Sequence, residues 1–206
     1  MAATNRGSGS AVFGALRADP PAALGGIARA TETSGFAMAS EPRTGALLRM
    51  LAASRPKSRL LELGTGTGLA TAWLLDGMDQ DSTLTTVDND VAAVAIAREH
   101  LGGDARATFI VADGAICMEQ LFADRRRFGL IFADAWPGKY TKLDLALDLL
   151  EVGGIYVVDD MLPQPNWPDD HPPKVEQLTN TLLSRPDFHV IPMAWSSGIL
   201  IATKAH

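Results

Sequence analysis

The stretch that most narrows what this chain can become is Leu60-Leu61-Glu62-Leu63-Gly64-Thr65-Gly66-Thr67-Gly68-Leu69, an apolar strand that runs into three alternate glycines and then a helical segment. Glycine at 64, 66 and 68 permits a sharp turn and lets backbone amides approach a ligand where any Cβ would collide. The spacing is not the dinucleotide phosphate fingerprint, whose last glycine follows the second by three residues, and Glu62 before the turn would repel a pyrophosphate. A cationic or zwitterionic ligand suits this loop better.

Strand-like and helix-like segments alternate on either side of the loop. Arg59–Leu63, Thr83–Val87, Thr108–Val111, Leu130–Phe132 and Ile155–Val158 read as strands. Leu69–Leu75, Val91–Leu101, Ile116–Phe122 and Leu143–Leu150 read as the helices between them. Strands apolar on both faces and separated by helices of about three turns imply a doubly wound α/β domain, with a parallel sheet covered on both sides. After Asp160 a Pro-rich loop, Met161–Pro173, leads to a helix, Lys174–Ser184, and two strands, Phe188–Met193 and Gly198–Thr203. The expected sheet is therefore seven-stranded and mostly parallel, Rossmann-like, with its last strand antiparallel. Upstream, Pro42 opens an amphipathic helix carrying Leu47, Leu48 and Leu51, and Pro56 closes it. Residues 1–35 are predicted to be a mobile segment with short helices in Ala11–Arg17 and Ala22–Thr31, leaving 36–206 as one domain.

Composition excludes several classes. At 206 residues one core is expected. The formal net charge of −6 and a single short basic run, Arg125-Arg126-Arg127, disfavour nucleic acid as a partner. No apolar run reaches membrane-span length and the first twenty residues lack a signal-type apolar block, so a cytoplasmic protein is expected. Cys117 is the only cysteine, which rules out intrachain disulfides and thiolate clusters and reads as a small core residue.

Two acids extend the glycine signal. Asp88, at the end of the second strand, is placed to accept both hydroxyls of a ribose, while Asp90 reads as a helix cap. The third strand ends in Ala112-Asp113, where an acid can accept from an exocyclic amine of adenine. Glu62-Leu63-Gly64-Thr65-Gly66-Thr67-Gly68 with Asp88 and Ala112-Asp113 resembles class I S-adenosylmethionine-dependent methyltransferases over residues 36–204. The resemblance implies that Gly64–Gly68 carry the methionine portion of the cofactor, that Asp88 binds its ribose and that Asp113 reads its adenine.

The fourth and fifth strands end in Asp134 and in Asp159-Asp160. Adjacent strand ends lie about 5 Å apart, so the three carboxylates can converge beside the ligand crevice, where unpaired acids need a cation. Oxygen-only donors favour Mg²⁺, Mn²⁺ or Ca²⁺ over zinc. A structural alternative stays open, in which Asp134 caps a helix or its loop and one of Asp159 and Asp160 binds backbone amides. The arrangement is similar to the cation-dependent O-methyltransferases that include the catechol and caffeoyl-coenzyme A enzymes. That resemblance implies metal ligation by Asp134, Asp159 and Asp160, with Asp134 also at the cofactor. It also implies a cofactor contact in Met38-Ala39-Ser40-Glu41-Pro42, at Met38, a closing strand at Ser197-Gly198-Ile199-Leu200, a small-molecule acceptor and a tendency to pair as homodimers.

The chain departs from that pattern at two places. Where the subfamily carries a lysine base three residues after the strand-four Asp, this chain has Pro137, and the amine comes two residues later at Lys139. A loop bent by Pro137-Gly138 brings Lys139 to the site as the candidate catalytic base. Ala70 stands where relatives often carry a serine, with Thr71 as the expected replacement for its hydrogen bond to the cofactor. Trp136 and Trp167 are candidates for an aromatic wall against a flat acceptor, and His171 for an additional base or ligand. The expected activity is methyl transfer from S-adenosylmethionine to a hydroxyl oxygen. A metal-independent methyltransferase, a non-catalytic S-adenosylmethionine-binding protein and a nicotinamide enzyme stay as alternatives.

Overall fold

In the computed structural model, residues 19–164 and 167–206 are described. The expected helix Ala11–Arg17 falls outside them.

Period-two alternation of apolar side chains builds the sheet. In β1 (Arg59–Leu63), Leu61 and Leu63 face one layer and Leu60 the other. In β4 (Phe128–Ala133) Ile131 and Ala133 take the first side, Leu130 and Phe132 the second. β5 (Leu150–Val158) repeats the division with Tyr156 and Val158 against Val157. Both faces are apolar because both are covered, as a parallel sheet requires. Truncating one such residue, Ile131→Ala, would cost about 2–5 kcal/mol.

The sheet order is β3-β2-β1-β4-β5-β7-β6, with β2 at Thr83–Asp88, β3 at Ala107–Val111, β6 at Phe188–Met193 and β7 at Ile199–Lys204. Pairings from β3 across to β5 are parallel, and β7 runs antiparallel between β5 and β6. This is the expected seven-stranded arrangement with a reversed last strand. The order turns back on itself between β1 and β4, which opens a crevice at their carboxyl ends.

The helices are α1 (Leu24–Ser34), α2 (Pro42–Ala53), α3 (Leu69–Gly77), α4 (Val91–Leu101), α5 (Gly114–Ala123), a kinked turn α6 (Trp136–Lys139), α7 (Leu143–Asp148) and α8 (His171–Leu183). Asp90 caps α4, as expected, by accepting from the amides of Ala92 and Ala93. α1 packs on the core through Ile27, and Thr31 donates to Thr67 Oγ1 at 2.7 Å, so the helix is fastened to the glycine loop.

Among the boundaries that differ from the sequence reading, two have a clear physical cause. The helix expected over Leu143–Leu150 ends at Asp148, and Leu150 already begins β5 opposite Phe128. The register then jumps to Ile155 opposite Leu130, with Gly153 at φ +76° absorbing the bulge, so the expected strand Ile155–Val158 is only the second part of β5. α8 starts at His171 rather than Lys174, because Pro172 and Pro173 sit in a first turn whose N–H groups need no intrahelical partner. Among the described residues no helix is long and apolar enough to cross a membrane.

Candidate active site

A cavity of about 580 Å³ lies at the carboxyl ends of β1, β2 and β4. Met38, Gly64, Thr65, Gly66, Asp88, Asp113 and Asp134 line it, together with Phe36 and Trp136. The close approach at Gly64 is obligatory: its φ is +102°, and a Cβ there would meet the Asp134 carbonyl oxygen at 2.7 Å. The loop amides are engaged internally, Gly64 to the Val87 carbonyl at 2.9 Å, Gly66 to Asp88 Oδ2 at 2.8 Å and Gly68 to the Thr65 carbonyl at 3.0 Å. What the glycine spacing offers a ligand is therefore a wall without side chains, rather than the set of free N–H donors the sequence suggested for these three positions.

Asp88 is held by two backbone donors, Gly66 on Oδ2 and Asp90 on Oδ1 at 2.9 Å. Each carboxylate oxygen keeps a second lone pair, directed by that anchoring toward whatever occupies the cavity. Asp113 caps α5, its Oδ1 accepting from Ala115 at 2.8 Å and Ile116 at 3.2 Å, which leaves Oδ2 for a ligand. Ala112 donates its amide to the Asp88 carbonyl and does not line the cavity; nor does Gly68, which packs against Ala97.

Glu62 lies beneath the loop, fully buried on the face covered by α3. Its Oε2 accepts from Thr71 and Thr86, each at 2.6 Å, while Oε1 has no partner. Burial pushes its pKa up from 4.5 to about 7, against the two threonine bonds. Thr71 is committed to Glu62 and shows no exposed surface, so it does not replace the missing serine as a cofactor contact. At the start of a helix packed flush on the sheet, its side chain turns to the buried acid.

The second cavity, about 130 Å³, adjoins the first and shares Met38, Ala39, Ser40 and Asp134 with it. Asp159, Asp160, Glu41, Gln164 and Ser197 also line it, together with Ala37. β4 and β5 set the three strand-end acids in the lining of this one cavity. Ser40 donates to Asp134 Oδ2 at 3.1 Å, and Asp159 Oδ1 accepts from the Ser197 hydroxyl and from the Asp160 amide, the latter at 2.8 Å. Part of the structural alternative is thus realised at Asp159. Among the described residues no three acid, histidine or cysteine side chains stand close enough together to ligate a metal ion.

Lys139 reaches this cluster although it arrives two residues late. Gly138 at φ +88° turns the chain inward against Leu63, and the Tyr156 hydroxyl fastens the Gly138 carbonyl. Lys139 is only 4% exposed, and Nζ donates to the Asp159 carbonyl oxygen at 2.6 Å. Burial pulls its ammonium below the ordinary lysine range, opposed by Asp134, Asp160 and Asp159. Burial and the neighbouring Asp159 lift Asp134 well above the usual carboxylate range, with Lys139 working the other way. Asp159 is also raised by burial.

Trp136 is half exposed and borders the larger cavity. Trp167 lies against His171 at 4.4 Å between ring centroids rather than lining either cavity. His171 is buried, shares a hydrogen bond with the Tyr140 hydroxyl at 3.0 Å and lines neither cavity. Cys117 is buried and burial raises its thiol, in keeping with a core role. Phe36, Tyr140, Gln164 and Ser197 were missed as individual site residues, since each is brought in by a contact distant in sequence.

The same fold occurs in the O-methyltransferase from Bacillus cereus solved in complex with SAH, with a TM-score of 0.80 at 18% identity over 95% of this chain and 96% of that one. The O-methyltransferase TomG from Streptomyces achromogenes, involved in tomaymycin synthesis and solved with SAM, gives a TM-score of 0.79 at 24% identity over 95% of each chain. A Mycobacterium tuberculosis protein named as an O-methyltransferase is 34% identical over 136 residues, 64% of this chain and 60% of the relative. An Arabidopsis thaliana protein named as a caffeoyl-CoA O-methyltransferase is 30% identical over 122 residues, 57% of this chain and 53% of the relative. The chain thus spans a little over half the length of these curated relatives. The O-methyltransferase family model matches residues 18–204, from the start of the described fold to its last strand, and the chain belongs to that family.

Proposed function

We propose that the protein transfers the methyl group of S-adenosylmethionine to a hydroxyl oxygen of a small-molecule acceptor, assisted by a divalent cation. The observation that carries this reading is the adjacency of two unlike cavities that meet at Asp134 and Ser40, one sized for a nucleoside donor and one lined by acids with a buried lysine beside it. Asp88 would accept the donor's ribose hydroxyls, Asp113 Oδ2 its adenine amine, and Met38 and the Gly64–Gly66 wall would bound its methionine portion. Glu62, buried beneath the loop and bonded to Thr71 and Thr86, would support the loop rather than touch the donor.

Such a site chiefly positions the two reactants, which alone supplies much of the rate of an in-line transfer. Lys139, unprotonated, would accept the acceptor's hydroxyl proton as the new O–CH₃ bond forms and the S–CH₃ bond breaks, leaving S-adenosylhomocysteine and a methyl ether. The oxygen donors of Asp134, Asp159 and Asp160 suit Mg²⁺, Mn²⁺ or Ca²⁺, but as placed they stand too far apart to ligate one ion together, so holding the cation would require them to close on it; its charge when bound would lower the acceptor hydroxyl pKa. The reading takes the acceptor to be diffusible, rather than nucleic acid or membrane, and the protein to act in the cytoplasm as a homodimer.

Calorimetry with S-adenosylmethionine and S-adenosylhomocysteine tests the first step. Turnover over a panel of catechols and hydroxylated acids, with and without a chelator, tests the rest. Folded protein that binds no donor overturns the reading. Binding without turnover makes it a non-catalytic binder, and turnover indifferent to chelation removes the cation from the mechanism.

A further inference from the structure

Two side chains that the proposed transfer does not use surround the buried lysine. Tyr140 directly follows Lys139, and its hydroxyl shares a hydrogen bond with His171 Nε2, 31 residues further along the chain. His171 is the first residue of α8. Its ring lies 5.2 Å from that of Tyr140, edge to face, and 4.4 Å from Trp167. Lys139 Nζ sits 5.1 Å over the Tyr140 ring on one side and on the Asp159 carbonyl on the other. The amine is thus held by one hydrogen bond and one aromatic face.

A lysine presented by an irregular turn needs such support. Pro137 and Gly138 both depart from helical dihedrals within α6, so no regular element aims the Lys139 side chain. α8 is a regular helix packed through Val175, Leu178 and Leu182, and a site is held accurately when its supports belong to rigid elements. The Tyr140–His171 bond joins the irregular turn to that helix. His171 is buried, so its ring is taken up by this junction rather than by an acceptor.

We propose that Tyr140 and His171 are positioning residues: by clasping the start of α8 to the turn after β4 they fix the Lys139 amine beside Asp159 for the acceptor step. The kinetic part of this proposal rests on the methyl-transfer reading; the placement of the amine does not.

The test uses Tyr140→Phe, which keeps the ring and removes the hydroxyl, His171→Ala, and His171→Gln, which returns a hydrogen-bonding group. Acylation with an N-hydroxysuccinimide acetate, followed by peptide mass spectrometry, compares Lys139 with Lys57, whose side chain is 75% exposed. Lys139 in the unaltered protein should label far more slowly than Lys57. Tyr140→Phe and His171→Ala should speed Lys139 labelling about tenfold while leaving Lys57 unchanged, as expected when a local restraint is lost without global unfolding. In turnover, both should lower kcat about tenfold with donor Kd unchanged, because a small misplacement of a reacting group is costly. His171→Gln should restore most of the loss in both measurements. Unchanged Lys139 labelling overturns the proposal, and so does a defect confined to acceptor KM, which would make the cluster a wall of the acceptor site. Labelling is read without turnover, so a protein that binds no donor refutes the methyl-transfer reading while the clasp is still judged on Lys139. Should His171→Ala fail to fold, Tyr140→Phe decides alone.

Discussion

The rim at β1–β3 and the cluster at β4–β5 both end parallel strands in acids, yet they are built on opposite plans. On the donor side Asp88 is anchored by two backbone amides and Asp113 by two more. On the acceptor side Asp134 and Asp159 are partnered by serine hydroxyls, Asp159 by the Asp160 amide as well, and a buried lysine lies beside them. Carboxylates held by backbone donors are fixed in direction by the local turn, suited to recognising an unvarying nucleoside. Carboxylates held by side chains can be re-tuned by single substitutions, suited to an acceptor that differs between relatives. The contrast teaches that the proposed donor rim is built from local turns, whereas the proposed acceptor cluster depends on tertiary contacts.

The sharpest way to break the contrast is to remove the acceptor side's buried amine. Lys139→Met should lower kcat by roughly 10²–10⁴-fold, the usual contribution of a positioned acid–base group. Donor affinity measured by calorimetry should hardly change. If donor binding falls in parallel with kcat, the two sides are one electrostatic unit and the division fails.

Glu62 tests whether the donor side also contains a tunable buried acid. Its carboxyl is raised to about 7 in the folded protein against 4.5 for the ordinary group. Below pH 4.5 it is protonated in both states and costs nothing. Between 4.5 and 7 the unfolded chain ionises first, so stability falls as pH rises. Above 7 a penalty of about 3 kcal/mol stands in full. Glu62→Gln should flatten the slope of unfolding free energy across that window, whatever its constant offset. Urea melts from pH 4.5 to 8 measure it, and an unchanged slope assigns the titration elsewhere.

Asp88→Ala comes next. It removes the acceptor of two backbone amides and two candidate ribose bonds, and should weaken donor binding by about 10–100-fold, as for lost hydrogen bonds to a charged group. Acceptor KM, measured at saturating donor, should stay within about twofold, since sites without shared partners act independently.

The same contrast explains what could be read from the amino-acid order. The seven strands, the glycine turn, Asp88 and the acids at 134, 159 and 160 were legible because each depends on a local pattern at a strand end. Thr71 was misread because its direction depends on which face of α3 meets β1, and that face contains Glu62. The early start of β5 was hidden because Leu150 closes the helix-like run Leu143–Leu150 and the strand is interrupted by a bulge at Gly153. Lys139 could be named as a candidate, but its burial depends on Gly138 at φ +88° and on Tyr156 and Asp159, none of which a spacing rule anticipates. Phe36 and the Tyr140–His171 junction gave no motif at all, since their partners lie far away in sequence.

Ser40 stands where the two plans meet, and altering it should produce the smallest effect. It lines both cavities, and its hydroxyl donates to Asp134 Oδ2 at 3.1 Å. The bond is long and half-buried, so its net value is about 0.5–1.5 kcal/mol. Ser40→Ala leaves the donor wall intact, because the Cβ stays and neither Asp88 nor the glycine turn loses a partner. Asp134, however, loses a donor that helped hold its ionised form, against the burial and the Asp159 charge that disfavour it. Acceptor KM should therefore rise about threefold, with donor Kd unchanged. Isothermal titration for the donor and steady-state kinetics for the acceptor separate the two quantities. An equal rise in both would mean that the segment through Met38, Ala39 and Ser40 transmits strain across the boundary, and that donor and acceptor recognition are coupled through this strap rather than merely adjacent.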